Sequence, residues 1–393
     1  MSRIDRRDFM KVTGAGGIAL SAGAAHNLLT ANEARAQERS TIWPNRRLLD
    51  LLRIDHPIIQ APMGGHVSPD MPVAVSGVGG LGSFPCSSLT PAQVRDEVSK
   101  IRAKTPKPIN LNFFCHTTPQ RDEALESAWR QRLTPYYAEL GIDPPPSPAR
   151  PLAPFGAEMC DVVIELKPDV VSFHFGLPDR SLVDRIKAAG CTIFSSATTV
   201  TEARWLEERG ADAVIAQGVE AGGHRGMFLT TELASQAGTL VLVPQVVDAV
   251  RVPVIAAGGI ADGRGIAAAL ALGASAVQMG TAYLLCPEAR ISALHRAALK
   301  SARENVTAIT NVLTGRPARV FVNRIVRELG PLATGVPSFP LPAAALAPLR
   351  TKAESRGSSE FSGLYAGQGA ALARELPAGD LTLKLAAEAR EHV

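Results

Sequence analysis

Beyond residue 50 the chain alternates between short apolar, β-rich runs and segments whose apolar positions recur at helical spacing. The runs cover residues 56–63, 81–84, 108–114, 170–175, 191–196, 213–217, 252–257 and 276–283. Clear helical patterns lie between several of them, at 178–189, 200–209 and 262–272. The last opens on Asp262, a residue type that caps helix N-termini, and reaches Gly273, a residue type that ends helices. Eight apolar runs in α/β alternation predict a (β/α)8 TIM barrel, because parallel strands need crossovers and are buried on both faces. A doubly wound sheet is the alternative. It requires a glycine fingerprint between its first strand and first helix, and two stretches match that pattern. Gly14-Ala15-Gly16-Gly17-Ile18-Ala19 lies in a segment that reads as a leader, and Gly77-Val78-Gly79-Gly80-Leu81-Gly82 runs into Ser83-Phe84-Pro85 instead of opening a helix. The barrel is the better reading.

On that reading the barrel covers residues 41–285, interrupted by a helical and proline-rich insertion at about 117–160 that includes Pro144-Pro145-Pro146-Ser147-Pro148. Residues 286–393 predict a mostly helical extension packing on the barrel, with a proline-rich interruption at 337–348. Residues 1–36 read as an address: Arg6-Arg7-Asp8-Phe9-Met10-Lys11 resembles the twin-arginine consensus of bacterial export signals, and Ala34-Arg35-Ala36 fits a cleavage site. The apolar run between them is too short and glycine-rich to span a bilayer, which takes about 20 apolar residues, so no stable membrane anchor is expected. This predicts a periplasmic protein that meets the twin-arginine export machinery. An unprocessed cytoplasmic amphipathic arm is the alternative.

Composition narrows the class. Apolar residues make up 46% and charged residues 20% of 393, which suits an enzyme with a sizeable core. Five basic and three acidic side chains fall in residues 1–36, leaving a net +2 of the total +4 on the rest. No basic stripe interleaved with aromatics appears, so nucleic acid is not an expected partner. Cys86, Cys115, Cys160, Cys191 and Cys286 are scattered with no C-x-x-C pair, and buried thiols fit them better than a metal site or disulfide framework.

In a barrel, chemistry gathers on the loops after the strands' C-terminal ends. There the chain places Gln60-Ala61-Pro62-Met63, Asn110-Leu111-Asn112, Phe173-His174-Phe175, Gln217-Gly218, Ala257-Gly258-Gly259 and Gln278-Met279-Gly280-Thr281. Glu220-Ala221-Gly222-Gly223-His224-Arg225-Gly226 follows the sixth run, and a histidine among glycines suits a loop that approaches a ligand and moves protons. An incidental histidine in a surface turn is the plain alternative. The loops after runs seven and eight lie where barrels bind phosphate through backbone N–H groups. No cluster has metal-ligand spacing, and the set reads as a cradle for a planar, phosphate-bearing cofactor. His174 is open between a structural histidine and a substrate-side group, with its side chain expected opposite to Phe173 and Phe175. His56, His66 and His116 are expected in solvated turns, with His66 near the mouth. Tyr365 is open between packing over the cofactor and plain surface.

HPIIQAPMGG, LNFF, VVSFHFGLP, AQGVEAGGHRG, VIAAGGIADG, AVQMGTAYL, TGRPAR and LYAGQG together resemble the nitronate monooxygenases, formerly called 2-nitropropane dioxygenases, over roughly residues 45–375. The resemblance implies FMN at the mouth of a barrel and no metal. It implies that Met63, Asn112, Gln217, Gly222 and Gly259 contact FMN, that Gln278, Met279, Gly280 and Thr281 form its phosphate loop, and that His224 is the catalytic base. At Gly77 the chain departs from an asparagine of many relatives. The small-molecule partners implied are a nitro or nitronate substrate and O₂. Two other readings stay open: an FMN-dependent NAD(P)H reductase of the enoyl-thioester type, which shares the glycine–histidine loop, and an exported flavoprotein that only binds its ligand.

Overall fold

The computed structural model describes residues 43–144, 152–303 and 306–393. The chain divides into two units, Met1–Arg46 and Arg47–Val393; the first is described only at 43–46, so the twin-arginine segment lies outside the described residues. All that follows concerns the second unit.

Eight parallel strands form one sheet: β1 (Ile58–Gln60), β2 (Gly82–Pro85), β3 (Ile109–Phe114), β4 (Val170–His174), β5 (Thr192–Ala197), β6 (Ala213–Gln217), β8 (Val254–Ala257) and β9 (Ala276–Met279). A two-residue strand, β7 (Gly223–His224), falls outside this sheet. The order β1-β9-β8-β6-β5-β4-β3-β2 is closed by a parallel bridge between Ile59 and Leu81, whose amide donates to the Ile58 carbonyl at 3.0 Å. Closure leaves no free edge, and β1 to β6 read buried at nearly every position, which is why the sequence shows continuous apolar runs.

Each predicted run overlaps a barrel strand to within a few residues at its ends, and β2 and β5 each extend one residue past their runs. The eighth departs most. The strand stops at Met279, and Thr281–Tyr283 turns into a single 3₁₀ turn, so the apolar run spans two structures. The helix predicted from Asp262 is Gly263–Ala271, and the Asp262 side chain accepts from the Gly265 amide at 3.1 Å, while Gly273 has φ +95°. Thr199 caps Val200–Glu208 in the same way. That helix buries Ala203 and Leu206 against the sheet; truncating a buried leucine of this kind costs about 2–5 kcal/mol.

The insertion contributes Glu123–Leu140, capped by Asp122 and ended by Gly141 at φ +64°. Its Trp129, Leu133 and Tyr137 share a core with Ile325, Leu346 and Leu349 of the C-terminal extension, so insertion and extension stabilise one another. The extension carries the helices Arg324–Leu329, Pro342–Ser355 and Ala378–Arg390 and also two strands, β10 (Thr307–Thr310) and β11 (Ala318–Phe321). β11 pairs antiparallel with β10 on one side and with β7 on the other. The glycine–histidine segment expected as an irregular loop is therefore partly a strand, because β11 offers its backbone as partner. No described helix is long and apolar enough to cross a membrane.

Candidate active site

A cavity of about 470 Å³ opens at the C-terminal ends of the barrel strands. The twelve residues proposed above for the site all line it: Met63, Asn112, His174, Gln217, Gly222, His224, Gly259, Gln278, Met279, Gly280, Thr281 and Tyr365. No described group of histidine, cysteine and carboxylate side chains has the geometry to hold a metal ion.

His224 is held at every point but one. Register with β11 sets its backbone, opposite Ala318. Its carbonyl accepts from Gln217 Nε2 at 3.0 Å and from His174 Nε2 at 3.2 Å, and Gln217 Oε1 accepts the Gly226 amide at 2.7 Å. Ring Nε2 meets Thr314 Oγ1 at 2.9 Å. Phe339, Tyr365, Phe175 and Phe114 surround the ring, with centroids 5.4, 5.7, 6.1 and 6.4 Å away. That enclosure strips water from the imidazole. Burial, and then the nearby charge of Arg316, push its pKa down to about 4, so the ring is unprotonated at neutral pH and has a lone pair free to accept a proton. Beneath it Arg225 is fully buried and donates to the Gly218 and Gln217 carbonyls, both at 2.7 Å, tying the loop to the end of β6.

His174 is committed to this scaffold. A carbonyl only accepts, so Nε2 carries the proton it gives to His224, and Nδ1 accepts from Ser196 Oγ at 3.0 Å. Burial, followed by the neighbouring His224, lowers its pKa to about 3. Gly226 passes so close that a Cβ there would lie 2.9 Å from the His174 ring. The expected alternation fails at Phe175, whose φ of +71° swings its ring beside His174 and His224 and under the Arg316 guanidinium at 4.0 Å. His56 and His116 are buried rather than solvated, because Arg390 approaches His56 and the Leu152 carbonyl pairs with His116 Nε2 at 2.9 Å. His66 does lie at the mouth, its ring 5.4 Å from His295 and 6.4 Å from Tyr365.

Other residues of the cavity wall offer polar groups suited to an anionic ligand. Gly222, Gly259 and Gly280 line the cavity with amides that meet no acceptor among the described residues. Gly259 takes φ +69°, and Gly222 is required by packing: a Cβ there would sit 2.5 Å from the Gly367 nitrogen. Thr281 Oγ1 accepts the Gly367 amide at 2.9 Å and keeps its own proton to donate. Gln278 Oε1 is buried in the cavity wall with no hydrogen-bond partner, which marks it as an acceptor for a ligand N–H or O–H. These features fit a flavin with a phosphate tail. Asn112 differs, its Nδ2 going to Ser172 Oγ at 2.9 Å, and Gln217 likewise serves the protein at both ends of its amide. Met63 packs its side chain against the cluster of Leu284 and Leu364 while lining the cavity.

Sequence reasoning did not single out Phe114, Phe339, Thr314, Arg316 or Arg225. Thr314 and Arg316 sit within the TGRPAR segment, so the signal was present without a role. Phe339 lies in the proline-rich interruption, where nothing local points to a barrel mouth.

Comparison with known proteins agrees with the geometry. The family model described as nitronate monooxygenase matches residues 45–388. A nitronate monooxygenase of Pseudomonas aeruginosa is 45% identical over 347 residues, covering 88% of this chain and 99% of the relative. One from Paraburkholderia phytofirmans is 42% identical, covering 88% and 96%. Among solved structures, a nitroalkane oxidase from Streptomyces ansochromogenes superposes with TM-score 0.80 at 40% identity, covering 88% of this chain and 98% of its own. FabK from Thermotoga maritima superposes with TM-score 0.64 at 30% identity, covering 88% and 96%.

Proposed function

The chain belongs to the nitronate monooxygenase family, and from that premise we propose that its barrel mouth holds FMN and that His224 is its catalytic base. The protein is an oxidoreductase that oxidises alkyl nitronates. What carries the proposal is one juxtaposition: a neutral, desolvated imidazole shares a cavity with a cradle of unpaired amides and the unpartnered Gln278 Oε1. Gly222, Gly259, Gly280 and Thr281 would hold the phosphate, and Gln278 Oε1 would accept from a polar N–H of the ring system. Bound there, FMN supplies the electron acceptor for the nitronate and, once reduced, the site of reaction with O₂.

The protein's own part is binding and proton transfer. With a neutral nitroalkane, the C–H bond alpha to the nitro group breaks, its proton goes to His224, and the electron pair stays on the substrate as a nitronate. The rings of Phe114 and Phe339, which line the cavity, would exclude water and hold the alkyl chain, with Phe175 packed behind Phe114. A supplied nitronate has already lost that proton and needs only the binding. General-base assistance of this kind contributes about 10²–10⁴-fold.

The twin-arginine segment supports a further part of the proposal, that the folded, flavin-loaded protein is exported to a bacterial periplasm. Anaerobic mixing tests the function. Nitronate should bleach the flavin and O₂ restore it, whereas NADH should leave it oxidised. Rapid bleaching by NADH would favour the reductase reading, and no reaction with either would favour a protein that only binds flavin.

A further inference from the structure

His224, which lines the cavity, has two ring nitrogens, and only one is engaged by a described residue. Nε2 lies 2.9 Å from Thr314 Oγ1, and Nδ1 makes no hydrogen bond with any described residue. Thr314 is 9% exposed and does not line the cavity, while His224 does. The threonine therefore stands behind the ring, outside the cavity lining.

The backbone fixes this arrangement from both sides. Ala318 pairs with His224, and the Arg225 amide donates to the Pro317 carbonyl at 2.8 Å. The turn that carries Thr314 is wedged in place: Gly315 takes φ +86°, and a Cβ there would fall 2.3 Å from the Pro337 carbonyl oxygen. Thr314 thus cannot drift from His224 without breaking the β7–β11 pairing or moving the 337–339 segment that carries Phe339.

A hydroxyl has one proton and two lone pairs. Thr314 Oγ1 has a second neighbour, the Arg316 carbonyl at 3.5 Å, to which it is the donor. A carbonyl oxygen can only accept, so this second neighbour gives the threonine proton a place to go and leaves a lone pair for the imidazole. With the hydroxyl so turned, Nε2 carries the ring proton. We propose that Thr314 is a positioning residue that holds His224 as the Nε2–H tautomer and so makes Nδ1 the nitrogen that accepts the substrate proton. When Nδ1 takes that proton, the Nε2–H bond to Thr314 persists, and the ring stays aimed at the cavity. This inference rests on His224 being the base.

The holoenzyme, labelled with ¹⁵N-histidine, provides the test, with His224 resonances assigned by their loss in His224→Asn. Near pH 7 the ring should show a protonated, pyrrole-like Nε2 and an unprotonated, pyridine-like Nδ1. Thr314→Val should abolish that preference and lower kcat on neutral nitroalkanes about tenfold, the scale of one neutral hydrogen bond. Flavin content and turnover of preformed nitronates should hold, and Thr314→Ser should restore both tautomer and rate. An Nδ1–H tautomer in the unaltered protein, or a valine variant with unchanged tautomer and unchanged nitroalkane turnover, would overturn the proposal. Nitroalkane turnover that survives in His224→Asn would instead sink the base reading, and the resonances would still decide what Thr314 does to the ring.

Discussion

His174 donates from Nε2 to the backbone carbonyl of His224 at 3.2 Å, so one histidine at the barrel mouth is used to place another. The bond fixes the His174 tautomer and leaves its second nitrogen to Ser196. Two imidazoles in one cavity could suggest a shared proton relay. The geometry assigns them different work, since both nitrogens of His174 are taken and one of His224 is not.

Replacing His174 with phenylalanine should therefore loosen the Gly223–His224 strand without removing a base. Hydrogen exchange at 223–226 should quicken, and nitroalkane turnover should fall about tenfold, again the loss of one hydrogen bond. A complete loss comparable to that of a His224 variant would place His174 in the chemistry.

The proposed flavin cradle depends on two glycines for different reasons. Gly259 has φ +69°, where a side chain is strained, and Gly222 has backbone within 2.5 Å of where a Cβ would stand. Gly259→Val and Gly222→Val should both purify mostly as apoprotein, measured by the flavin absorbance per chain. A fully loaded Gly259→Val protein would show that the phosphate binds elsewhere.

The histidines predict a pH dependence with a definite sign. His224 is a base only when neutral, and burial lowers its pKa to about 4. The acid limb of kcat/KM for nitroalkanes should fall near pH 4, with no inflection at the ordinary histidine value of about 6.5. Arg316→Leu should move that limb upward, since the Arg316 charge disfavours the imidazolium. Folded-state values of about 3 for His174 and about 4 for His224 and His295 lie below that of the unfolded chain. Stability is then complete above about pH 6.5 and is lost as pH falls towards 4, because the unfolded chain binds these protons first. Melting temperatures that stay level from pH 7 to 4.5 would contradict these buried neutral rings.

Export makes a separate prediction. Changing both Arg6 and Arg7 to lysine should leave the precursor in the cytoplasm. Normal periplasmic accumulation would remove the twin-arginine reading.

The barrel was legible because closure buries both faces of each strand, and an apolar run followed by a capped helix is a local signal. Asp262 and Gly273 carry that signal within their own few residues. The cradle was legible for a related reason: Gly259 and Gln278 sit at strand ends, whose place in a barrel is known once the strands are counted. What surrounds His224 was not legible. Thr314 is 90 residues away in the chain and reaches it only through the β7–β11 pairing, and a two-residue strand leaves no periodicity to read. Phe175 misled in another way. Alternation along β4 assumes extended backbone, and φ +71° breaks it one residue past the strand. His116 looked like a turn histidine because its partner, the Leu152 carbonyl, lies across the insertion.

The central claim is that His224 removes the substrate proton, and His224→Asn tests it most directly. Asparagine keeps a polar side chain of similar reach and cannot act as a base at neutral pH. Turnover of neutral nitroalkanes and of preformed nitronates should be measured side by side on protein of matched flavin content. Nitroalkane turnover should fall by about 10²–10⁴-fold, the scale of general-base catalysis, with most nitronate turnover kept. Equal loss on both substrates with flavin bound, or no loss on nitroalkanes, would contradict the account.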